Sequence, residues 1–447
     1  MVAVKLRSPW TSLIALACAT VVGWLAGGGA RDRGVPRELL APRIHVHVKL
    51  RAEGTRLALG RAAASGPLFS HLPPGTHDDR ARWLDVVVPA PDGPDRALAE
   101  LLASPGIEDA SLVPVTTLAG LRGAPADDAC PIATPSFESY QGYLGPAPHG
   151  IDAPAAWRRG LRGQGVWFAD IEGGWNPQHE DLPGDRITHV SGQLIQEPTW
   201  RAHGTAVLGE VVGRDNGRGV VGIAPDVERV FTSSIGGVPV ADAIDVAAEQ
   251  LRPGDVLLVE LQSSGPRGRW VPVELWPEVF DAIRAATARG VVVIEAAGNG
   301  GEDLDHRVYQ RAFDRKYRDS GAILVGAGGP PREGFSDRER LEFSNYGGRV
   351  DVQGWGRKVA TLDYGDLQAC AGADRHYTGE FAGTSSASPI VAGAAVILEG
   401  AARARGRVLT PGELRALLRQ TGTPQAGDTA EAIGPRPDLA RALRELR

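Results

Sequence analysis

The chain has 447 residues, more than one ordinary hydrophobic core serves, and its 43% hydrophobic and 23% charged residues are the composition of globular domains. Its net charge of −6 offers no basic surface for nucleic acid or an anionic membrane. The sequence contains no internal repeat, no metal-type Cys/His spacing and no phosphate-binding glycine loop.

The first 30 residues read as a targeting segment. Lys5 and Arg7 precede a largely apolar, uncharged run from Thr11 to Ala26, and small residues Gly27–Ala30 lead into Arg31-Asp32-Arg33. This is a secretory signal peptide or an uncleaved N-terminal anchor, since the run is long for a signal. Cys18 follows Ala15-Leu16-Ala17, an imperfect lipoprotein box, so a lipid anchor is a third reading. Each places the protein outside the cytoplasm, secreted or in the cell envelope or periplasm. Of the remaining cysteines, Cys130 and Cys370, an oxidising compartment permits a bridge; two buried free thiols are the alternative.

Residues 43–118 pattern as a small α/β unit. Ile44–Leu50 alternates with period two, Trp83–Val88 reads as a second strand, Arg96–Leu102 as a helix, and Asp109–Val115 as a strand after Pro105-Gly106. Residues 119–143 are rich in Pro, Gly and Ala with little periodicity, the signature of an exposed linker. From Gly150 to the end, apolar strands alternate with helices, as in a mostly parallel sheet covered on both faces. Strands are expected at Val166–Ile171, Asp255–Leu261, Val291–Ala297 and Ile323–Gly326, and helices at Pro277–Arg289 and from near Ser385. Thr410-Pro411-Gly412-Glu413 is a capping box opening a late helix.

The most informative string is Gly383-Thr384-Ser385-Ser386-Ala387-Ser388-Pro389, followed by Ile390-Val391-Ala392-Gly393. It sets a hydroxyl in a glycine-flanked turn at the mouth of a small-residue helix. There the backbone N–H of Ser385 sits with the positive end of the helix dipole, which suits a nucleophile that generates an oxyanion. By itself such a string is also an ordinary Ser/Thr helix cap. A serine nucleophile needs an imidazole base oriented by a carboxylate. His203-Gly204-Thr205-Ala206-Val207-Leu208-Gly209 opens a helix and supplies the histidine. The strand Val291–Ala297 ends in Gly298-Asn299, a turn that presents an amide. Together these strings resemble the serine, histidine and asparagine motifs of subtilisin-like serine peptidases (subtilases). The resemblance implies Ser385 as nucleophile and His203 as general base. It also implies Asn299 as the side-chain donor completing an oxyanion hole with the Ser385 N–H.

The acid departs from the family pattern. In Val166-Trp167-Phe168-Ala169-Asp170-Ile171-Glu172-Gly173-Gly174, counting from either side sets Glu172 where relatives carry aspartate. Asp170 falls two residues earlier. Strand alternation puts both carboxylates on one face, about 7 Å apart, so either can approach the imidazole. Glu172 is the expected acid and Asp170 the alternative. Ser263-Ser264-Gly265 matches loosely the edge where relatives bind substrate backbone, and Phe343-Ser344-Asn345-Tyr346-Gly347 a structural marker. Residues 98–115 resemble the closing helix and strand of subtilase propeptides, which are ferredoxin-like inhibitors and chaperones.

The resemblance therefore implies a propeptide (43–118), a linker (119–143) and a catalytic domain (150–447) of subtilisin-like α/β fold. The expected protein is a secreted serine endopeptidase made as a zymogen, a monomer acting on protein or peptide and inhibited by its own propeptide. A catalytically weak binding or regulatory protein of the same fold, and a dedicated peptide-processing or transpeptidating enzyme, are the alternatives. The chemistry needs no cofactor or metal. Relatives often carry structural calcium, but no acidic loop in this sequence declares ligands for it.

Overall fold

The computed structural model describes residues 42–446 apart from 53–63, 74–75, 91, 122–130, 132 and 371. The leader, Cys18 and Cys130 lie outside the described residues. Two compact units result: one comprises the residues up to Val115 with Ser264–Gly268, the other Thr116–Ser263 with Arg269–Arg447.

In the first unit, strands β1 (Arg43–Leu50), β2 (Ala64–Pro67), β3 (Trp83–Pro89) and β4 (Ile107–Leu112) form an antiparallel sheet of order β2-β3-β1-β4. Helix α1 (Pro94–Leu102) has Pro at its first position, where the missing N–H costs nothing, and closes the core. Val46, Val48, Val86 and Val88 from alternating strand positions meet Ala97, Leu98 and Leu101 of the helix. This strand order is that of a ferredoxin-like sheet. The last strand ends at Leu112, three residues before the expected Val115, because Pro114 cannot donate to a ladder.

The second unit has a sheet of seven strands at its centre. Its members are β7 (Trp167–Glu172), β8 (Ile187–Ser191), β9 (Arg229–Ser234), β10 (Val256–Val259), β13 (Val292–Ala296), β14 (Ile323–Gly328) and β15 (Val352–Trp355), in the order β15-β14-β13-β10-β7-β9-β8. All pairings are parallel. Strands such as Val256-Leu257-Leu258-Val259 are apolar throughout because both faces are covered by helices. The helices are α2 (Ala153–Trp157), α3 (Pro198–Val212), α4 (Val240–Glu249), α5 (Pro277–Ala288), α6 (Thr384–Arg403), α7 (Pro411–Thr421) and α8 (Leu439–Glu445). α6 is apolar and long enough to cross a bilayer, yet 94% of its apolar window is enclosed by protein. It is the core helix of the domain. Smaller sheets pair β11 (Leu261–Ser264) with β12 (Trp270–Pro272) and β5 (Thr116–Leu118), and β17 (Tyr377–Gly383) with β16 (Val359–Leu362) and β6 (Gly120–Leu121).

Two expectations change. The linker is not exposed at its ends. Ala119 is fully buried, and Phe137, Tyr143 and Leu144 pack in the core of the second unit. Apolar side chains spaced without helical or strand period still find a core when neighbouring elements supply one. Helix α3 starts at Pro198 rather than His203, since Pro at the first turn initiates a helix through its fixed φ.

Candidate active site

The C-terminal end of β7, an interior strand of the parallel sheet, delivers Glu172 to the crevice where open α/β sheets bind ligands. His203 faces it from α3. Its Nδ1 lies 2.6 Å from Glu172 Oε1, and both side chains are fully buried. Helix α3 can come this close because residue 204 has no side chain: a Cβ there would lie 2.4 Å from Gly174 O and 2.8 Å from the Trp175 ring. Burial raises the Glu172 carboxyl well above its ordinary range and lowers the His203 imidazole to about 3. The ring is neutral at physiological pH and able to accept a proton. Phe381 packs edge-on against it, ring centroids 5.4 Å apart.

Asp170 turns elsewhere. Its Oδ2 accepts a 2.7 Å hydrogen bond from Trp175 Nε1, and burial, then the charge of Glu172, raise its carboxyl well above normal. The shared strand face therefore resolves into two separate partners, imidazole for Glu172 and indole for Asp170.

Ser385 is the second residue of α6, and Gly383 caps that helix at φ 119°, a conformation that glycine alone adopts without strain. Asn299 follows β13 and is held from three directions. Its N–H donates to Gln262 Oε1 (2.8 Å), and its Oδ1 accepts from the Thr384 N–H (2.9 Å) and hydroxyl (3.1 Å). With Oδ1 so engaged, Nδ2 must point into the cleft, where it donates to the Ala119 carbonyl. The Ser385 N–H donates to the same oxygen at 3.3 Å. Ser385 Oγ and His203 Nε2 each lack a hydrogen-bond partner among the described residues. Both border Gly120: a Cβ built there would be 2.3 Å from Nε2 and 3.6 Å from Oγ.

Ser263 lies on β11, whose backbone pairs with Thr116–Leu118, while its hydroxyl accepts from Trp276 Nε1 at 2.9 Å. Ser264 donates its N–H to Val115 O, and Gly265 continues that turn. Asn345 anchors the loop carrying Asn299, accepting from Gly300 N and donating to Ala297 O. Sequence reasoning missed Thr384, Gln262 and Glu260. Thr384 stands beside the serine in its motif and was legible there as a candidate support. Nothing local marks Gln262, which bonds both Asn299 and Leu118 O, or Glu260, whose Oε1 accepts from Ser388 behind the nucleophile. Cys370 is disulfide-bonded, so it is not a free thiol. Asp181 accepts from Asn216 Nδ2 (2.7 Å) and the Val220 N–H (2.8 Å).

A serine at a helix N-terminus, a buried histidine–carboxylate pair and donors converging on one carbonyl oxygen, all at the C-terminal end of a parallel sheet, define a serine-type endopeptidase. The chain belongs to the subtilase family, whose model matches residues 170–434. It is 31% identical over 284 residues to an intracellular serine protease of Paenibacillus polymyxa, covering 60% of this chain and 77% of that one. It is 26% identical over 376 residues to an extracellular basic protease of Dichelobacter nodosus, covering 73% and 56%. The fold is similar to that of fervidolysin from Fervidobacterium pennivorans, with a TM-score of 0.58, 18% identity, and 90% of this chain and 61% of that one covered.

Proposed function

We propose that the protein hydrolyses peptide bonds through an acyl-enzyme on Ser385, is made as a zymogen and acts outside the cytoplasm. Ser385 Oγ attacks the carbonyl carbon and His203 Nε2 takes the hydroxyl proton. Glu172 holds Nδ1–H and stabilises the imidazolium that forms. Asn299 Nδ2 and the Ser385 N–H bind the developing oxyanion, and the N-terminus of α6 adds its dipole. The imidazolium then protonates the leaving amine, and water releases the acyl group by the same route.

The observation that carries this reading is the Ala119 carbonyl oxygen. It accepts from Asn299 Nδ2 and the Ser385 N–H while the peptide it belongs to borders His203. The described residues up to Val115, with Ser264–Gly268, form a compact unit of their own, which supports a propeptide, and the apolar run 11–26 supports export. The enzyme is proposed to act as a monomer, with its propeptide as inhibitor, and to use no cofactor in the chemical steps. A fluorophosphonate probe tests the core of the proposal. Labelling of the wild type and none of Ser385→Ala is expected. An unlabelled wild type freed of residues 42–119 would sink the hydrolytic reading in favour of a binding protein.

A further inference from the structure

The segment Thr116–Leu121 lies through the cleft as a substrate would. Upstream, it is the antiparallel partner of β11, with Thr116 opposite Ser263, Thr117 opposite Gln262 and Leu118 opposite Leu261. The Ala119 N–H donates to Glu260 O at 3.3 Å, and Gln262 Nε2 donates to Leu118 O at 2.7 Å. Downstream, Gly120 and Leu121 pair with Gly383 and Ala382. Between the two ladders one peptide, Ala119–Gly120, is held with its oxygen on both oxyanion donors. The two ladders therefore fix a register as well as an occupant, because a strand shifted by one residue would present its side chains to the opposite faces.

We propose that Ala119–Gly120 is the bond this enzyme cuts in its own chain, and that the cleft prefers a small residue before the cut and glycine after it. The proposal rests on the peptidase reading above. Two observations set the preference. Ala119 is fully buried between the flanking strands, so a longer side chain must find volume there. At residue 120 a Cβ would fall 2.3 Å from His203 Cδ2 and Nε2, inside the imidazole that must receive and return the proton. That ring is held by Glu172 and Phe381 and cannot move aside without losing its orientation. In the step, the Ser385 Oγ–C bond to Ala119 forms and the C–N bond to Gly120 breaks. The proton from Oγ passes through His203 to the Gly120 nitrogen. Water then hydrolyses the ester, leaving an Ala119 carboxylate and a Gly120 amine.

The test is the N-terminus of the full-length chain after expression, read by intact mass and N-terminal sequencing, beside the fluorophosphonate label. A mature species beginning at Gly120 in the wild type, absent in Ser385→Ala, is expected. Gly120→Val should slow its appearance at least about 100-fold. Because that variant can perturb folding, mature enzyme is also given the peptides Thr-Thr-Leu-Ala-Gly-Leu and Thr-Thr-Leu-Ala-Val-Leu, the first expected to be cut between Ala and Gly at least about 100-fold faster. A labelled, active enzyme whose new terminus lies elsewhere, or that cuts both peptides equally, overturns this proposal alone. Absence of label with no cleavage of either peptide overturns the peptidase reading beneath it.

Discussion

The Glu172–His203 contact is short, buried and isolated from solvent, so a change in either partner's charge is felt by the other directly. Glu172→Gln leaves an amide that can hold the wrong imidazole tautomer. It should lower kcat/KM for a chromogenic peptide about 10³–10⁴-fold, the scale known for such a change in another triad. Asp170→Asn keeps an acceptor for Trp175 Nε1 and should cost less than about tenfold. The reverse ranking would mean that Asp170, not Glu172, orients the histidine. Asn299→Ala removes one of the two proposed oxyanion donors and should lower kcat about 10²–10³-fold with little change in KM, the scale of losing such a donor in subtilisin. The motifs singled out these residues because a hydroxyl at a helix mouth and an amide at a strand end need specific small neighbours. The register count favoured Glu172 over Asp170, but both sit on one strand face, and it is the positions of His203 and Trp175 that separate them.

At the scale of elements, two devices hold the catalytic domain around its sheet. Arg349 is fully buried and bonds Glu274 twice, at 2.7 and 2.9 Å, and Asp351 at 2.8 Å. Arg349→Met leaves the buried Glu274 without its ion-pair partner, while Asp351 keeps Arg315 and Arg419, and should cost about 3–5 kcal/mol in denaturant unfolding of the Ser385→Ala chain. The late helix α7 is capped reciprocally, with Thr410 Oγ1 accepting from Glu413 N and Glu413 Oε2 accepting from Thr410 N. The motif Thr-Pro-Gly-Glu announced that cap because its partners are three residues apart. The Arg349 cluster joins residues up to 75 positions apart and leaves no trace in local pattern.

At the scale of the molecule, stability depends on pH in two opposed ways. The unfolded imidazole of His203 binds a proton near 6.5 and the folded one near 3, so acid destabilises the fold across that window. Buried carboxyls act in the other direction. Glu210, with neither side-chain oxygen partnered among the described residues, is raised well above normal by burial and then by the charge of Glu260. Its contribution is present below the ordinary carboxylate range and is lost as pH rises through its folded value. Glu210→Gln in the Ser385→Ala chain should therefore melt higher than its parent at pH 8, by a margin that shrinks toward pH 4. A margin independent of pH would mean that Glu210 does not titrate as described.

The sequence by itself determined the enzyme class, the parallel α/β architecture and the positions of Ser385, His203 and Asn299. Each is written in short strings whose spacing is dictated by a turn, a strand end or a helix start. Only the tertiary structure decided that Glu172 meets the imidazole while Asp170 meets an indole. It alone decided that Ala119, in a stretch reading as exposed linker, is buried with its carbonyl between Asn299 and Ser385. The physical reason is common to both. These contacts join residues 31 and 180 positions apart, and a side chain's local neighbours do not specify which distant donor will stand opposite it.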